Sequence, residues 1–239
     1  MSLSIYAKDP QESYDLLAKS KKNDRFFAAM ISLVGIFSII FAVLPILIWN
    51  IKFAPFLKSN IEEAPVPQGF VLGQNAQNVS VQVVKDADGF SYFSTDYKPS
   101  GNRPKNFYIS IPKLKIDKAT VNVDTLVFFD NLSHFPGSAL PGEVGNVFIT
   151  GHSVLPQFTD TKNYRTIFSK LPDLEIGDIV DVNLNGQNYQ YVVQYKKVVD
   201  PNDLSVLAPI SKNAKNLTLM TCVPPGTSLQ RMVVITSLI

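Results

Sequence analysis

The chain is poor in the residues that build disulfides and many protein metal sites. It contains one cysteine, Cys222, and two histidines, His134 and His152. A single thiol excludes an internal disulfide, and so few side chains of these types exclude a zinc site built from histidine and cysteine. The spacing of an EF-hand calcium loop is also absent. We therefore predict neither a metal nor a cofactor.

Charge of either sign is also sparse. Charged residues make up 18% of the chain, and the formal net charge is +2. No basic face with interleaved aromatic residues is visible, which argues against a nucleic-acid partner. Because 46% of the residues are hydrophobic, a disordered chain is not expected either. The length allows one sizeable domain with appendages.

Charge is missing altogether from a stretch near the N-terminus, residues 26–49. A helix of this length is long enough to cross a hydrocarbon core of roughly 30 Å. A buried core helix rarely needs so long an uncharged run. A cleaved signal peptide has a shorter apolar region followed by a small-residue cleavage site, which is not visible here. We therefore expect an uncleaved transmembrane anchor over residues 26–50.

Lysine and arginine are distributed unevenly around this anchor. Five precede it, and only two follow it closely: Lys8, Lys19, Lys21, Lys22 and Arg25 before, Lys52 and Lys58 after. The positive-inside rule then places residues 1–25 in the cytoplasm and the rest of the chain outside a single-pass cell-membrane protein. Residues 51–104 are expected to form an extracellular stalk. Within it, residues 59–78 have the composition of a tether, and residues 79–94 fit a small β-hairpin.

Residues 105–239 are expected to form the main domain, and short β signals recur along it. Asn185 and Gly186 make a good hairpin turn between two of these segments. Because no long amphipathic helix alternates with them, we predict an all-β barrel or sandwich. Short helices are expected only over residues 164–171 and 203–207. The candidate strands are residues 107–111, 119–123, 125–129, 146–150, 179–184, 189–199, 216–222 and 231–238.

Cys222 is the residue that most needs an explanation. Exported proteins usually pair their cysteines or avoid them, so a lone thiol is either reactive or buried for packing. Cys222 ends one candidate strand, His152 follows another and Arg231 opens the last, and strand ends can meet at one rim of a barrel. Such a trio suits acyl transfer. The thiolate attacks, the imidazolium protonates the leaving amine and the arginine donates hydrogen bonds to an oxyanion.

Several runs of the main domain resemble the sortase family of cysteine transpeptidases. The resemblance extends over residues 107–239, and the runs occur in the family's order. They are ISIPKLKI (109–116), FPGSALPGEVGNV (135–147), TGH (150–152), LTLMTC (217–222) and RMVV (231–234).

This resemblance implies an eight-stranded β-barrel with short helices, on the outer face of a Gram-positive-type envelope. It implies cleavage of a C-terminal sorting signal similar to Leu-Pro-x-Thr-Gly after the Thr, and transfer of the protein to an amine of the cell wall or of a pilin. Cys222 would be the nucleophile, His152 the general acid and then base, and Arg231 the ligand of the oxyanion and substrate. His134 resembles a family position without a general catalytic assignment.

The same resemblance suggests substrate-binding residues. Residues 199–215 lie where the family has one wall of the signal groove, although such a loop can equally pack a cluster of its own. Residues next to the nucleophile are candidates too, since the Val223 amide can help an oxyanion hole. The candidates are Leu204, Val206, Leu207, Ile210, Thr221 and Val223.

Three matters stay open in the sequence. Gly137-Ser138 and Ser153 depart from many relatives, so the subclass is open between class D/E-like and C-like sortases. The same scaffold also fits a thiol hydrolase, in which water takes the acyl group. A third possibility, from another class of protein, is a catalytically inactive wall-binding or scaffold domain.

Overall fold

The computed structural model describes residues 10–52, 80–85, 91–99 and 102–239. These residues belong to two compact units that divide between Leu47 and Ile48. The tether expected over residues 59–78 and the hairpin turn expected at residues 86–89 lie outside the described residues, as do residues 1–9 of the expected tail.

The first unit is helical. Helix α1 runs over Pro10–Lys52, and its segment Arg25–Ile48 reaches a mean hydropathy of 2.8 with none of that stretch buried. Ser38, a polar side chain within this segment, donates a 2.9 Å hydrogen bond to the Val34 carbonyl, so its hydroxyl needs no water. By length and composition, the helix is compatible with the expected membrane anchor.

A two-stranded hairpin precedes the barrel. Strands β1 (Val81–Lys85) and β2 (Ser91–Thr95) pair antiparallel, with Val83 opposite Phe93. The expected hairpin is therefore present. Val81 and Val83 pack against buried residues of the second unit, so the hairpin lies on the barrel.

The barrel is closed by eight strands. Their order around it is β10-β8-β7-β3-β4-β5-β6-β9. Closure leaves no unpaired edge in this sheet and confirms the expected eight-stranded architecture. The strands are β3 (Asn106–Ile111), β4 (Ile116–Asn122), β5 (Leu132–His134), β6 (Gly145–Thr150), β7 (Ile179–Leu184), β8 (Gln187–Val199), β9 (Lys215–Val223) and β10 (Gln230–Leu238).

Alternation along the strands fills the barrel interior. In β3, Phe107, Ile109 and Ile111 are buried, whereas Tyr108 between them is 42% exposed. This two-residue period places one face of each strand in the core. The Asn185-Gly186 turn joins β7 to β8 with φ angles of 52° and 84°, which is the conformation that its sequence predicts.

The segment at residues 125–129 is not the strand that we expected. It forms a loop between β4 and β5, and the true strand, β5, comes three residues later. Leu126, Val127, Phe128 and Phe129 have strand-like composition, but Asp124 before them adopts a left-handed φ of 54° that ends β4. The turn, and not the β propensity, decides the structure here.

The expected helices are replaced by shorter elements. Residues 164–170 form successive turns that lead into a 3₁₀ helix, Leu171–Asp173, and a second 3₁₀ helix spans Leu204–Leu207. The Asp203 carboxylate accepts a 2.9 Å hydrogen bond from the Ser205 amide and so caps the second helix. Further 3₁₀ helices span Pro112–Leu114 and Pro156–Phe158.

Candidate active site

Three neighbouring strands bring the predicted catalytic side chains together. Cys222 on β9 and Arg231 on β10 are direct partners in the antiparallel ladder. β6 pairs in parallel with β9, with Thr150 opposite Met220. This pairing brings Gly151 and His152, which follow Thr150, to the same rim of the barrel. His152, Cys222 and Arg231 all line one cavity of about 510 Å³. Their shared location is established, whereas their roles stay predictions.

Backbone contacts fix the two residues that lead to the imidazole. The Gly151 amide donates to the Met220 carbonyl at 3.1 Å, and the His152 carbonyl accepts from the Phe168 amide at 3.0 Å. A Cβ atom at Gly151 would lie 2.6 Å from side-chain carbons of Leu132 and Phe168. Only glycine fits here, since such close contacts require the packed neighbours to move.

The His152 loop is also tied to the cysteine strand. The Ser153 hydroxyl donates a 2.6 Å hydrogen bond to the Cys222 carbonyl, and the Thr221 hydroxyl donates at 2.9 Å to the Gly151 carbonyl. Each hydroxyl therefore holds a main-chain group of the opposite segment. These bonds fix the distance between the two backbones that carry the thiol and the imidazole.

The Cys222 side chain is only partly accessible. Burial raises the pKa of its thiol above the ordinary value, and the charge of Arg231 opposes part of that rise. A neighbouring cation favours the thiolate, and Arg231 acts in that direction. In this structure burial outweighs it, because an ion loses more hydration than a neutral thiol. The resting thiol is therefore protonated at neutral pH.

His152 lies against two aromatic rings. Its ring centroid is 4.2 Å from that of Phe128 and 5.3 Å from that of Phe129. Burial lowers the pKa of His152, and the positive charge of Arg165 lowers it further. Among the described residues, its buried Nε2 atom has no hydrogen-bond partner. A neutral imidazole with a free ring nitrogen is a group ready to accept a proton.

The guanidinium of Arg231 is bound by backbone carbonyls. Arg231 is 6% exposed, and its Nη1 atom donates to the carbonyls of Ser228 and Gln230 at 2.9 and 3.2 Å. Its Nη2 atom donates to the Ser91 carbonyl of β2 at 2.7 Å. All three partners are main-chain oxygens.

The structure separates the predicted substrate-binding residues. Thr221 lines the cavity, but Val223 is fully buried. Val206 and Leu207 are buried in a cluster with Phe93, Phe135, Phe148 and Met220, against which Leu204 packs, and Ile210 is 45% exposed. Within the described residues, the segment 199–215 contributes only Pro201 to the cavity lining. None of Leu204, Val206, Leu207 and Ile210 lines this cavity, and their contact with a bound signal stays a prediction.

Much of the cavity lining was missed in the sequence. The loop at residues 125–129 contributes Leu126, Phe128 and Phe129, and β2 contributes Ser91, Tyr92 and Phe93. A run of four apolar residues without alternation, 126–129, was the available signal for the first group. The β2 residues left no such signal, since their place at the cavity depends on contacts across more than a hundred positions.

His134, the second imidazole, lies in a different environment. It is fully buried, its Nδ1 accepts from the Asp124 amide at 3.4 Å, and its Nε2 donates to the Ala139 carbonyl at 3.0 Å. Burial lowers the pKa of His134 to about 4. Arg103 forms an ion pair with the Asp124 carboxylate, at 2.8 Å. This imidazole belongs to a buried structural network and not to the cavity lining.

Among the residues that the structure describes, no group of three or more histidine, cysteine or carboxylate side chains is close enough to hold a metal ion. The chemistry available in the cavity is accordingly that of a thiol, an imidazole and a guanidinium, surrounded by aromatic and aliphatic side chains.

Comparison with known proteins identifies the family. Residues 109–239, more than half of the chain, match the family model of the sortase domain. The closed barrel and the rim that gathers a cysteine, a histidine and an arginine agree with that match. This chain belongs to the sortase family.

Individual relatives are more distant. Sortase D of Bacillus subtilis (strain 168) is 25% identical over 129 residues, which are 54% of this chain and 59% of that relative, so the match spans less than two thirds of its length. The crystal structure of sortase C1 from Streptococcus agalactiae has 31% identity and a TM-score of 0.50, over 59% of this chain and 70% of that chain. A Clostridium perfringens sortase D5 transpeptidase has 28% identity and a TM-score of 0.47, over 56% of this chain and 79% of that chain. Relatives of several classes are thus similar, and the subclass stays open.

Proposed function

We propose that this protein is a membrane-anchored cysteine transpeptidase. It cleaves a Leu-Pro-x-Thr-Gly-like C-terminal sorting signal after the Thr and transfers the exported protein to an amine of the cell wall or of a pilin. The observation that carries this proposal is the cavity in which Cys222, His152 and Arg231 meet in a chain of the sortase family.

The first half of the reaction forms a thioester. The Cys222 sulfur attacks the carbonyl carbon of the Thr while the thiol proton passes to the neutral His152. The electron pair of the carbonyl moves to its oxygen, to which Arg231 donates hydrogen bonds. When the tetrahedral intermediate collapses, the bond to the amide nitrogen breaks and the imidazolium protonates the leaving amine. The raised pKa of Cys222 and the lowered pKa of His152 support a resting pair in which both groups are neutral.

The second half reverses these proton movements. An amine attacks the thioester carbonyl and gives a proton to His152, which returns it to the sulfur as the thiolate leaves. The new amide bond joins the exported protein to the acceptor. A thiol hydrolase would use water in place of the amine, and the same residues would serve.

The cavity lining supports an apolar element in the signal. Phe93, Phe135, Phe148 and Met220 line it together with Cys222, His152 and Arg231. Such a surface suits an aliphatic side chain like the leucine of the signal, because both lose water on contact.

The location is proposed from α1 and the charges around it. Residues 1–25 would be cytoplasmic, residues 26–50 the single transmembrane span, residues 51–104 an extracellular stalk and residues 105–239 the catalytic domain. The all-round exposure of large apolar side chains in Arg25–Ile48 supports this arrangement, since water would penalise so much apolar surface.

One experiment separates the candidate functions. The full chain in detergent micelles is incubated with a fluorescent sorting-signal peptide, with and without triglycine, and the products are weighed by mass spectrometry. A transpeptidase gives the triglycine adduct, a hydrolase gives the free acid in both samples and an inactive scaffold gives neither. Cys222→Ala should abolish either product, and turnover that persists in this variant would refute the role of Cys222.

A further inference from the structure

The apolar loop between β4 and β5 lies over the proposed catalytic imidazole. We name residues 126–129 (Leu-Val-Phe-Phe) the aromatic loop. The rings of Phe128 and Phe129 are nearly parallel, at an interplanar angle of 9°, and each is tilted by 40° or less to the ring of His152. The imidazole thus has two close aromatic neighbours, and each ring is tilted relative to the plane of the imidazole.

Core packing does not explain this loop. Of the described residues, neither buried hydrophobic cluster includes Leu126, Val127, Phe128 or Phe129. Val127 and Phe129 are 64% and 56% exposed, a costly position for large apolar side chains. Leu126, Phe128 and Phe129 line the cavity. Both phenylalanine rings lie against His152, which points to a role there.

The base of the aromatic loop is held firmly. The Thr125 amide donates to the His134 carbonyl at 3.1 Å, and the Thr125 carbonyl accepts from the Ser133 hydroxyl. One residue earlier, the Asp124 carboxylate accepts from the Gly137 amide at 3.1 Å and pairs with Arg103. These bonds anchor the loop to β5 and to the turn after it, so the two rings are presented from a fixed base.

We propose that Phe128 and Phe129 are positioning residues, whose rings fix the orientation of His152 in the cavity and exclude water from it. This inference rests on the proposed role of His152 as proton acceptor and donor. Water exclusion keeps the imidazole neutral until the thiol proton arrives, and fixed orientation keeps its nitrogen aimed at the reacting atoms. The other charged or titratable groups around it are Arg165, whose guanidinium lies 5.7 Å from the Phe129 ring, and Tyr92, Cys222 and Arg231 of the cavity.

A histidine titration tests the proposal directly. The chain has two histidines, so ring-labelled full-length protein in detergent micelles gives two NMR signals, and His134, with a pKa of about 4, serves as internal reference. In Phe128→Ala, water reaches the imidazole and the pKa of His152 should rise towards its ordinary value. The kcat for peptide transfer should fall about tenfold with little change in KM, because orientation is lost and not binding. Phe128→Tyr keeps an aromatic ring at this position, so it should retain the wild-type pKa of His152 and the wild-type kcat.

The controls separate this proposal from a folding defect and from the proposed function. Phe158→Ala removes another exposed aromatic ring and should change neither the titration nor kcat. Phe128→Leu keeps apolar volume if the alanine variant unfolds, and it should still lower kcat. An unchanged His152 titration in a folded Phe128→Ala protein, or an unchanged kcat in a folded Phe128→Leu protein, would overturn the proposal. If His152→Gln retained full activity, the proposed function would fail instead, while the titration would still report on the rings.

Discussion

The guanidinium of Arg231 donates a 2.7 Å hydrogen bond to the backbone carbonyl of Ser91, which lies 140 positions earlier in the chain. The partner is a peptide carbonyl at the rim of the cavity, the same type of group that a bound sorting signal presents. This bond uses one of the two N–H donors of Nη2, so the second remains for a substrate carbonyl or an oxyanion. The hairpin of β1 and β2 therefore helps to fix the guanidinium at the cavity.

Weakening the hairpin should make the cavity more accessible. Phe93 anchors β2 on the barrel, with its ring 6.5 Å from that of Phe135 and 6.2 Å from that of Phe148. Phe93→Ala removes this anchor, which lowers the free energy needed for the hairpin to open locally. We therefore expect Cys222 to react with iodoacetamide roughly threefold faster or more. Gln82→Ala, an exposed change on β1, is the matched control. An unchanged or slower rate in Phe93→Ala would contradict this prediction.

Arg231 should not be replaceable by lysine. Its two terminal nitrogens donate to three carbonyls in fixed directions, and an ammonium group cannot reproduce that fork. We expect Arg231→Lys to lower kcat/KM for peptide transfer by about a hundredfold, the usual effect of losing an oxyanion donor.

The fold of this variant is checked by circular dichroism and by its melting temperature. Arg231→Gln, which keeps hydrogen-bond donors but loses the charge, should be at least as inactive. If lysine restored near wild-type kcat/KM, a fixed guanidinium would not be needed and the proposed role would be wrong.

The pH dependence of thiol alkylation should reflect the burial of Cys222. Because burial raises its pKa, thiolate formation should have a midpoint above the ordinary value of 9.0. The chain has one cysteine, so the rate of iodoacetamide labelling against pH reports on this thiol alone. In Arg231→Gln the midpoint should move higher, since Arg231 opposes the shift. A midpoint below 9.0 in the wild type would contradict the prediction.

One consequence concerns the distinction between an enzyme and an inactive scaffold. Slow alkylation near neutral pH would be the ordinary sign of an unactivated cysteine in a scaffold. In this structure a functional cysteine is also expected to react slowly at rest, because its proton leaves during attack and not before. Turnover of peptide, and not thiol reactivity, therefore distinguishes the two.

Acid should destabilise the fold through His134. The unfolded chain takes up a proton near the ordinary pKa of 6.5, whereas the folded protein keeps His134 neutral until about pH 4. Between these values the unfolded state binds more protons, so the stabilisation is complete above pH 6.5 and is lost as the pH falls towards 4. The free energy of unfolding should drop by about 3 kcal/mol across this window.

Urea unfolding of the full chain in micelles, followed by near-UV circular dichroism, measures this loss. His134→Gln can keep the hydrogen bonds with the Asp124 amide and the Ala139 carbonyl but cannot titrate. Over the same pH window, the free energy of unfolding of the variant should fall by about 3 kcal/mol less than that of the wild type. Equal pH dependence in the two proteins would mean that other groups cause the acid sensitivity.

The strands that carry the candidate site were predictable because their signals are local. β6, β9 and β10 are apolar runs bounded by turn residues, and Cys222 and Arg231 stand near their ends. The aromatic loop was misjudged as a strand, since β propensity does not record that Asp124 turns the chain and that contacts with β5 hold it. The burial of the predicted wall residues Val206 and Leu207 in a cluster was unexpected for a related reason. Apolar composition marks them for burial but does not tell which neighbour covers them.

The contact between Ser91 and Arg231 could not be predicted from local sequence patterns. The two residues are 140 positions apart, and most of the barrel strands lie between them in the sequence. The residues next to each of them in the chain do not indicate the contact. The cavity shape, and with it the hydrogen bond that fixes Arg231, can be described only when the hairpin has been placed on the barrel.

The strand order also bears on when the proposed site is completed as the barrel folds. β10 follows the other seven barrel strands in the chain, yet it lies between β8 and β9 in the closed barrel and supplies Arg231. A barrel into which β10 has not yet been inserted already contains Cys222 and His152 but has a gap in its wall where the guanidinium belongs. On the proposed mechanism, its thiol cannot complete the reaction until β10 brings Arg231 into that wall.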